Sequence, residues 1–184
     1  IFILESSSGV LSGRFSVPKI HRWGVPYAVG DINNDNRAEI IIATSDDAIP
    51  QRVLIAYNVD GNELWRSDSS YGHQTNFDSP ALGITDFNLD GVPEVFAGPY
   101  VFNGMNGNLI AKIEDEYDAK GVQYEENSNN TMVCVAADMT SSSGKALICG
   151  NTIYHVDFST GQLEKELVNT EFSRTYQGNS NKGN

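Results

Sequence analysis

Two stretches of this sequence set oxygen-bearing side chains at alternate places and then run straight into an apolar segment. The first is Asp31-Ile32-Asn33-Asn34-Asp35-Asn36-Arg37-Ala38-Glu39, followed by Ile40-Ile41-Ile42. The second begins 55 residues later and reads Asp86-Phe87-Asn88-Leu89-Asp90-Gly91-Val92-Pro93-Glu94, followed by Val95-Phe96. Each has a carboxylate or amide oxygen at its first, third, fifth and ninth places. A tight loop with that spacing turns its side chains inward together, which is hard-cation chemistry, since calcium takes about six to eight oxygen ligands. The expected ligands are the side chains of Asp31, Asn33, Asp35 and Glu39, and of Asp86, Asn88, Asp90 and Glu94. The main-chain carbonyls of Arg37 and Val92 are expected to complete each set. Asn36 and Gly91 hold the sixth place, where the bend calls for a residue that accepts a left-handed backbone.

An EF-hand does not account for the pattern, because that loop needs its bidentate Glu at the twelfth place and a helix on each side. Here the Glu comes ninth, and the segment after it is short, β-branched and aromatic, the composition of a strand. A lone Asp/Asn-rich run also reads as a solvated turn. Two in phase with other repeating features favour the metal reading.

The other repeating feature is a hairpin built around a glycine. Strand-like runs flank Gly9, Gly61, Gly107 and Gly161, which are spaced by 52, 46 and 54 residues, and each glycine is followed closely by an apolar residue, as in a tight hairpin. Between hairpins lies a strand, the oxygen-rich loop and a second strand: Pro26 to Asp31 leading to Glu39 to Ala43, then Pro80 to Asp86 leading to Glu94 to Gly98. A third copy runs from Met132 to Asp138 and from Ala146 to Gly150. Its loop has decayed to Asp138-Met139-Thr140-Ser141-Ser142-Ser143-Gly144-Lys145, with Ser142 at the fifth place and Ala146 at the ninth, so no metal is expected there. Leu163 to Val168 has the look of a helical turn, but it falls where the fourth strand of a unit belongs.

Four strands per unit of about fifty residues, repeated at a fixed period, mark a β-propeller blade. The expected fold is therefore all-β, with four-stranded antiparallel blades. The expected divisions are a half blade over 1–18, blades with calcium loops over 19–78 and 79–130, a blade with a degenerate loop over 131–175, and a polar tail over 176–184. Propellers close with about four to eight blades. Three and a half are too few, so the remaining blades of the same propeller are an expected partner, and the chain, opening in mid-strand at Ile1-Phe2-Ile3-Leu4, reads as a piece of a larger protein.

Composition narrows the function classes. Apolar residues make up 40% of the 184 positions, enough for a folded core. With 24 Asp+Glu against 12 Lys+Arg the net charge is −12, and no basic cluster is present to meet a phosphate backbone, which argues against nucleic acid and anionic membranes. No apolar run approaches the roughly 20 residues of a membrane span. An acidic surface with calcium-type loops suits an extracellular or cell-surface location. Cys134 and Cys149 flank a turn and would face each other across neighbouring strands. A disulfide is geometrically open to them, but cross-strand bridges are often strained and a buried free Cys is a common small hydrophobe, so free thiols are the favoured reading. Zinc is excluded by two Cys and His residues at 21, 73 and 155 in no ligand-like spacing.

The long connections over 67–78 and 114–130 are expected on one face of the disc. They carry Tyr71, His73, Phe77, Tyr117 and Tyr124 among acids and amides, which would stack on sugar rings or hold a protein partner; the other reading is that they anchor their loops against blade edges.

The run Asp86-Phe87-Asn88-Leu89-Asp90-Gly91-Val92-Pro93-Glu94-Val95 resembles the calcium loop of FG-GAP, or VCBS, repeats, the blades of integrin-α-like propellers. The hairpins Tyr57 to Trp65 and Val156 to Leu163 are similar to the outer strands of quinoprotein-like blades. Together they resemble propellers of secreted surface proteins from Bacteroidota-type bacteria, which accompany adhesion or glycan-handling modules. The resemblance implies a non-enzymatic, calcium-binding module for adhesion, ligand binding or protein–protein interaction, with a protein or glycan ligand. It also admits a polysaccharide lyase of the rhamnogalacturonan type, in which His73 or His21 would be the base and Asp78 or Glu116 further metal ligands. A third reading is a structural spacer in a large surface complex. No Gly-x-Ser-x-Gly elbow or other nucleophile constellation occurs in the sequence.

Overall fold

The computed structural model of the chain describes residues 1–4, 7–17, 26–46, 49–71, 81–113, 134–139 and 144–168. The fold is all-β, and no helix occurs among the described residues. A two-stranded sheet comes first, β1 (Phe2–Leu4) with β2 (Leu11–Arg14). A four-stranded antiparallel meander comes next, β3 (Tyr27–Gly30), β4 (Glu39–Asp46), β5 (Ile49–Tyr57) and β6 (Glu63–Arg66). The same order recurs in β7 (Leu82–Thr85), β8 (Glu94–Ala97), β9 (Tyr100–Asn103) and β10 (Leu109–Lys112). It recurs again in β11 (Cys134–Ala137), β12 (Ala146–Cys149), β13 (Thr152–Asp157) and β14 (Gln162–Val168). Leu163 to Val168 is thus strand and not helix. These last two meanders form one eight-stranded sheet through a parallel pairing, Lys112 opposite Gln162 on β10 and β14.

The strands form where β-branched and aromatic residues cluster, and they turn where glycine takes a positive φ. Gly9, Gly61, Gly107 and Gly161 have φ of 67°, 84°, 74° and 73°. Two of these turns also serve packing. A Cβ on Gly61 would stand 2.6 Å from the side chain of Phe15, and one on Gly107 would stand 2.5 Å from that of Trp65. The aromatic of one hairpin thus lies on the turn of the next, and only glycine leaves room for it.

Among the described residues, three buried clusters fill the spaces between the first hairpin and the successive meanders. Ile40, Ile42, Val53, Ile55 and Tyr57 pack with Ile1, Ile3, Phe15 and Val17 of the first hairpin. The opposite face of the same meander, including Ile41, Leu54 and Trp65, meets Val95, Tyr100 and Phe102. Beyond it, Phe96, Val101 and Ala111 meet Leu147, Tyr154 and Val156. The second strands β4 and β8 are apolar on both faces for this reason, since each contributes residues to the clusters on both of its sides. Trp65 fixes one of these layers by polarity as well as bulk: its indole Nε1 donates to the carbonyl of Gly104 at 2.7 Å.

Cys134 and Cys149 are register partners on β11 and β12, and they are joined in a disulfide with a Cα separation of 4.3 Å. The free-thiol reading is corrected by this. Directly opposed positions on neighbouring antiparallel strands bring the two Cβ atoms together, and burial of both residues in one core keeps them there.

Candidate metal-binding loops

Both oxygen-rich runs join the first two strands of a meander. In the first, Asp31 follows β3 and Glu39 opens β4, with Gly30 and Glu39 register partners. In the second, Thr85 and Glu94 are partners, and Asp86 follows directly. The sheet therefore sets the ends of each loop a strand-spacing apart, and the side chains between them close it.

The two loops close by the same hydrogen bonds. The Asp35 amide donates to Asp31 Oδ1 at 3.2 Å and to Asn33 Oδ1 at 2.9 Å; the Asp90 amide donates to Asp86 Oδ1 and to Asn88 Oδ1, each at 3.1 Å. The sixth-place amides of Asn36 and Gly91 donate to Asp31 Oδ2 and Asp86 Oδ2 at 2.9 and 2.8 Å. The seventh-place amides of Arg37 and Val92 donate to Asp35 Oδ1 and Asp90 Oδ1 at 2.8 and 2.7 Å. Oxygens of the first and third places thus share one N–H donor in each loop, so the alternating residues do turn inward together.

The ninth-place glutamates lie beneath. Glu39 and Glu94 are 1% and 3% exposed, and their Oε2 atoms accept the amides of Ile32 and Phe87 at 3.0 and 2.9 Å. Burial pushes the Glu94 carboxyl up to about 7, and the charges of Asp90 and Asp86 push the same way; the Phe87 hydrogen bond opposes them. Glu39 is raised for the same first reason, burial, with Asp35 and Asp31 adding to it. Each loop therefore gathers negative charge around a carboxylate held out of water.

The sixth-place residues take the left-handed backbone expected of them, Asn36 at φ 66° and Gly91 at φ 89°. The fourth places do so too, Asn34 at φ 60° and Leu89 at φ 61°. Asn34 carries a signal for this, since Asn tolerates the region; Leu89 carries none. Nor was the contact between loops legible: Asn34 Nδ2 donates to Gly91 O at 2.6 Å. The degenerate third loop also reaches its neighbour, through Lys145 N to Phe87 O at 2.9 Å and Lys145 Nζ to Thr85 Oγ1 at 2.9 Å.

All donors in each loop are oxygen, and an ionised carboxylate has about four acceptor positions, more than these amide bonds use. The set is of the kind a hard divalent cation takes. Among the described residues, no group of three or more His, Cys, Asp and Glu side chains is gathered closely enough to hold a metal ion by itself. The amide oxygens of Asn33 and Asn88 lie outside that count.

Of the aromatic residues expected to present a ligand surface, Tyr71 is 2% exposed and its hydroxyl donates to Thr44 O at 3.0 Å. It is an anchor against the β4 strand, because burying the ring gains apolar contact and Thr44 satisfies its hydroxyl. The exposed position expected for it is not found. His73, Phe77, Tyr117 and Tyr124, with His21, Asp78 and Glu116, lie outside the described residues. No helix among the described residues is long and apolar enough to cross a membrane.

No family model, curated protein or solved structure matches this chain.

Proposed function

We propose that this chain is a section of a calcium-stabilised β-propeller of the FG-GAP/VCBS kind, working outside the cytoplasm as a non-enzymatic binding module for a protein or glycan. The observation that carries the reading is the identity of the two loops: the same oxygens on the same amides, each above a buried glutamate. A cation ligated by Asp31, Asn33, Asp35 and Glu39, or by Asp86, Asn88, Asp90 and Glu94, would offset the charge gathered there. The carbonyls of Arg37 and Val92 complete the sets.

The blade reading is supported by the recurrence of one meander in chain order and by the adjacency of first strands, with β7 lying against β3 and against β11. The Cys134–Cys149 disulfide accords with an oxidising compartment. Calcium titration by calorimetry tests the proposal. Two ions bound per chain, with magnesium failing to compete, is the expected result, and Asp90→Asn is expected to remove one of them. An isotherm without binding heat, in a chain shown to be folded, would overturn it.

A further inference from the structure

We propose that the second oxygen-rich loop guards the Cys134–Cys149 disulfide: while the loop is ligated, Phe87 stays seated in the cluster that buries the bridge, and reduction by a small dithiol is slow. This rests on the calcium reading of the loops and adds a regulated group to the second of them.

In both loops the second-place residue leaves the loop and enters the core shared with the next meander. Ile32 is buried in the cluster that includes Val95 and Phe102, and Phe87 in the cluster that includes Leu147, Cys134 and Cys149. The peptide that carries each side chain is held by the ninth-place glutamate, Ile32 N–H donating to Glu39 Oε2 and Phe87 N–H to Glu94 Oε2. The expected cation ligand and the anchor of the buried side chain are therefore one carboxylate.

Phe87 is also tied to the strands that carry the bridge. Its carbonyl accepts Lys145 N–H at 2.9 Å, one residue before β12 begins, and a Cβ on Gly144 would collide with that same oxygen. β12 carries Cys149, the register partner of Cys134 on β11. Within the shared cluster the Phe87 ring meets Phe96 edge-on, at a centroid distance of 6.1 Å. Loosening the second loop thus loosens both the packing around the bridge and the entry to one of its strands.

Reduction requires a thiolate to reach a disulfide sulfur. Cys134 and Cys149 are 3% and 0% exposed, so the bridge reacts from a locally opened state. One thiolate of the dithiol attacks a bridge sulfur and displaces the other cysteine as a thiolate. The second thiolate then closes the reagent's ring and displaces the first cysteine. The reagent loses two electrons, and its two protons end on the Sγ atoms of Cys134 and Cys149. Without a cation, the like charges of Asp86, Asp90 and Glu94 favour opening of the loop. An opening that gives up the ion is suppressed about a hundredfold at a hundredfold excess of calcium over its dissociation constant.

Reduction of the folded chain by dithiothreitol, followed by thiol labelling, is the experiment. The parent is expected to reduce at least about tenfold more slowly in saturating calcium than in chelator. Asp90→Asn is expected to abolish the difference, and Asp35→Asn, in the loop that serves the other cluster, to keep it. Phe87→Ala, its fold checked by circular dichroism, is expected to reduce equally fast in both media while calorimetry still counts two ions. Protection retained in that folded variant would overturn the role of Phe87. Equal rates in the two media for a parent that binds two ions would overturn the guard and leave the calcium reading standing. Loss of protection in Asp35→Asn as complete as in Asp90→Asn would assign it to global stability and overturn the local device. A parent that binds no calcium would remove the calcium reading and the guard together.

Discussion

The side-chain amide of Asn34 reaches across from the first oxygen-rich loop to the carbonyl of Gly91, the sixth place of the second, at 2.6 Å. The two candidate metal sites are thereby mechanically joined, although 57 residues separate the bonded pair. Asn34→Gly removes the bond and keeps the left-handed backbone that Asn34 adopts. The variant is expected to lose about 1 kcal/mol of stability, the usual net worth of such a bond. Calcium isotherms are expected to show the two sites coupled in the parent and independent in the variant.

Leu89 occupies a left-handed conformation, φ 61°, and is 63% exposed. A γ-branched residue gains nothing there from packing and bears a steric cost. Leu89→Asn places at this position the residue type that Asn34 supplies in the first loop, and it is expected to stabilise the chain by about 1 kcal/mol. Urea denaturation of the two proteins checks it.

Glu94 is buried beside Asp86 and Asp90, and its carboxylate accepts the Phe87 amide. A Gln side chain can accept the same bond without the charge. Glu94→Gln is therefore expected to raise the melting temperature in chelator at pH 8 and to lower it in calcium, where the missing charge weakens ligation. A shift of the same sign in both media would refute the role given to this residue.

Much of this architecture could be read directly from residue order. The four turn glycines, the strands on either side of them and the left-handed sixth places of the loops follow from local chemistry, in which glycine and asparagine meet a demand that few residues can. The features that stayed hidden depend on the neighbouring meander or strand. Tyr71 reads as an exposed loop aromatic until Thr44 is seen beside its hydroxyl. The facing of Cys134 and Cys149 was legible in their spacing; what misled was the weight given to strain in cross-strand bridges and to buried free Cys as a common hydrophobe. The fourth-place conformation of Leu89 has no signal in its side chain at all; it follows from ring closure by the residues around it.

Asp157 shapes the β13–β14 turn by accepting four hydrogen bonds, from the amides of Ser159 and Thr160 and from both their hydroxyls. The Ser159 hydroxyl above all, then that of Thr160, holds its carboxyl well below the ordinary 3.8. A carboxylate depressed in the folded state adds stability above its unfolded value, and that stability erodes as pH falls below it. Asp157→Asn is expected to be less stable than the parent at pH 6, with the difference shrinking steadily below about pH 4. Paired thermal melts across that range measure it.

Thermal melting of the intact chain in excess calcium, in chelator and in magnesium tests the central claim most directly. An ion that binds only the folded state adds about 2.7 kcal/mol per site at a hundredfold excess over its dissociation constant. A rise in midpoint with calcium, absent with magnesium, is the predicted result. Coincident midpoints in all three solutions, for a chain that melts cooperatively, would make the paired loops ordinary turns and contradict the assignment.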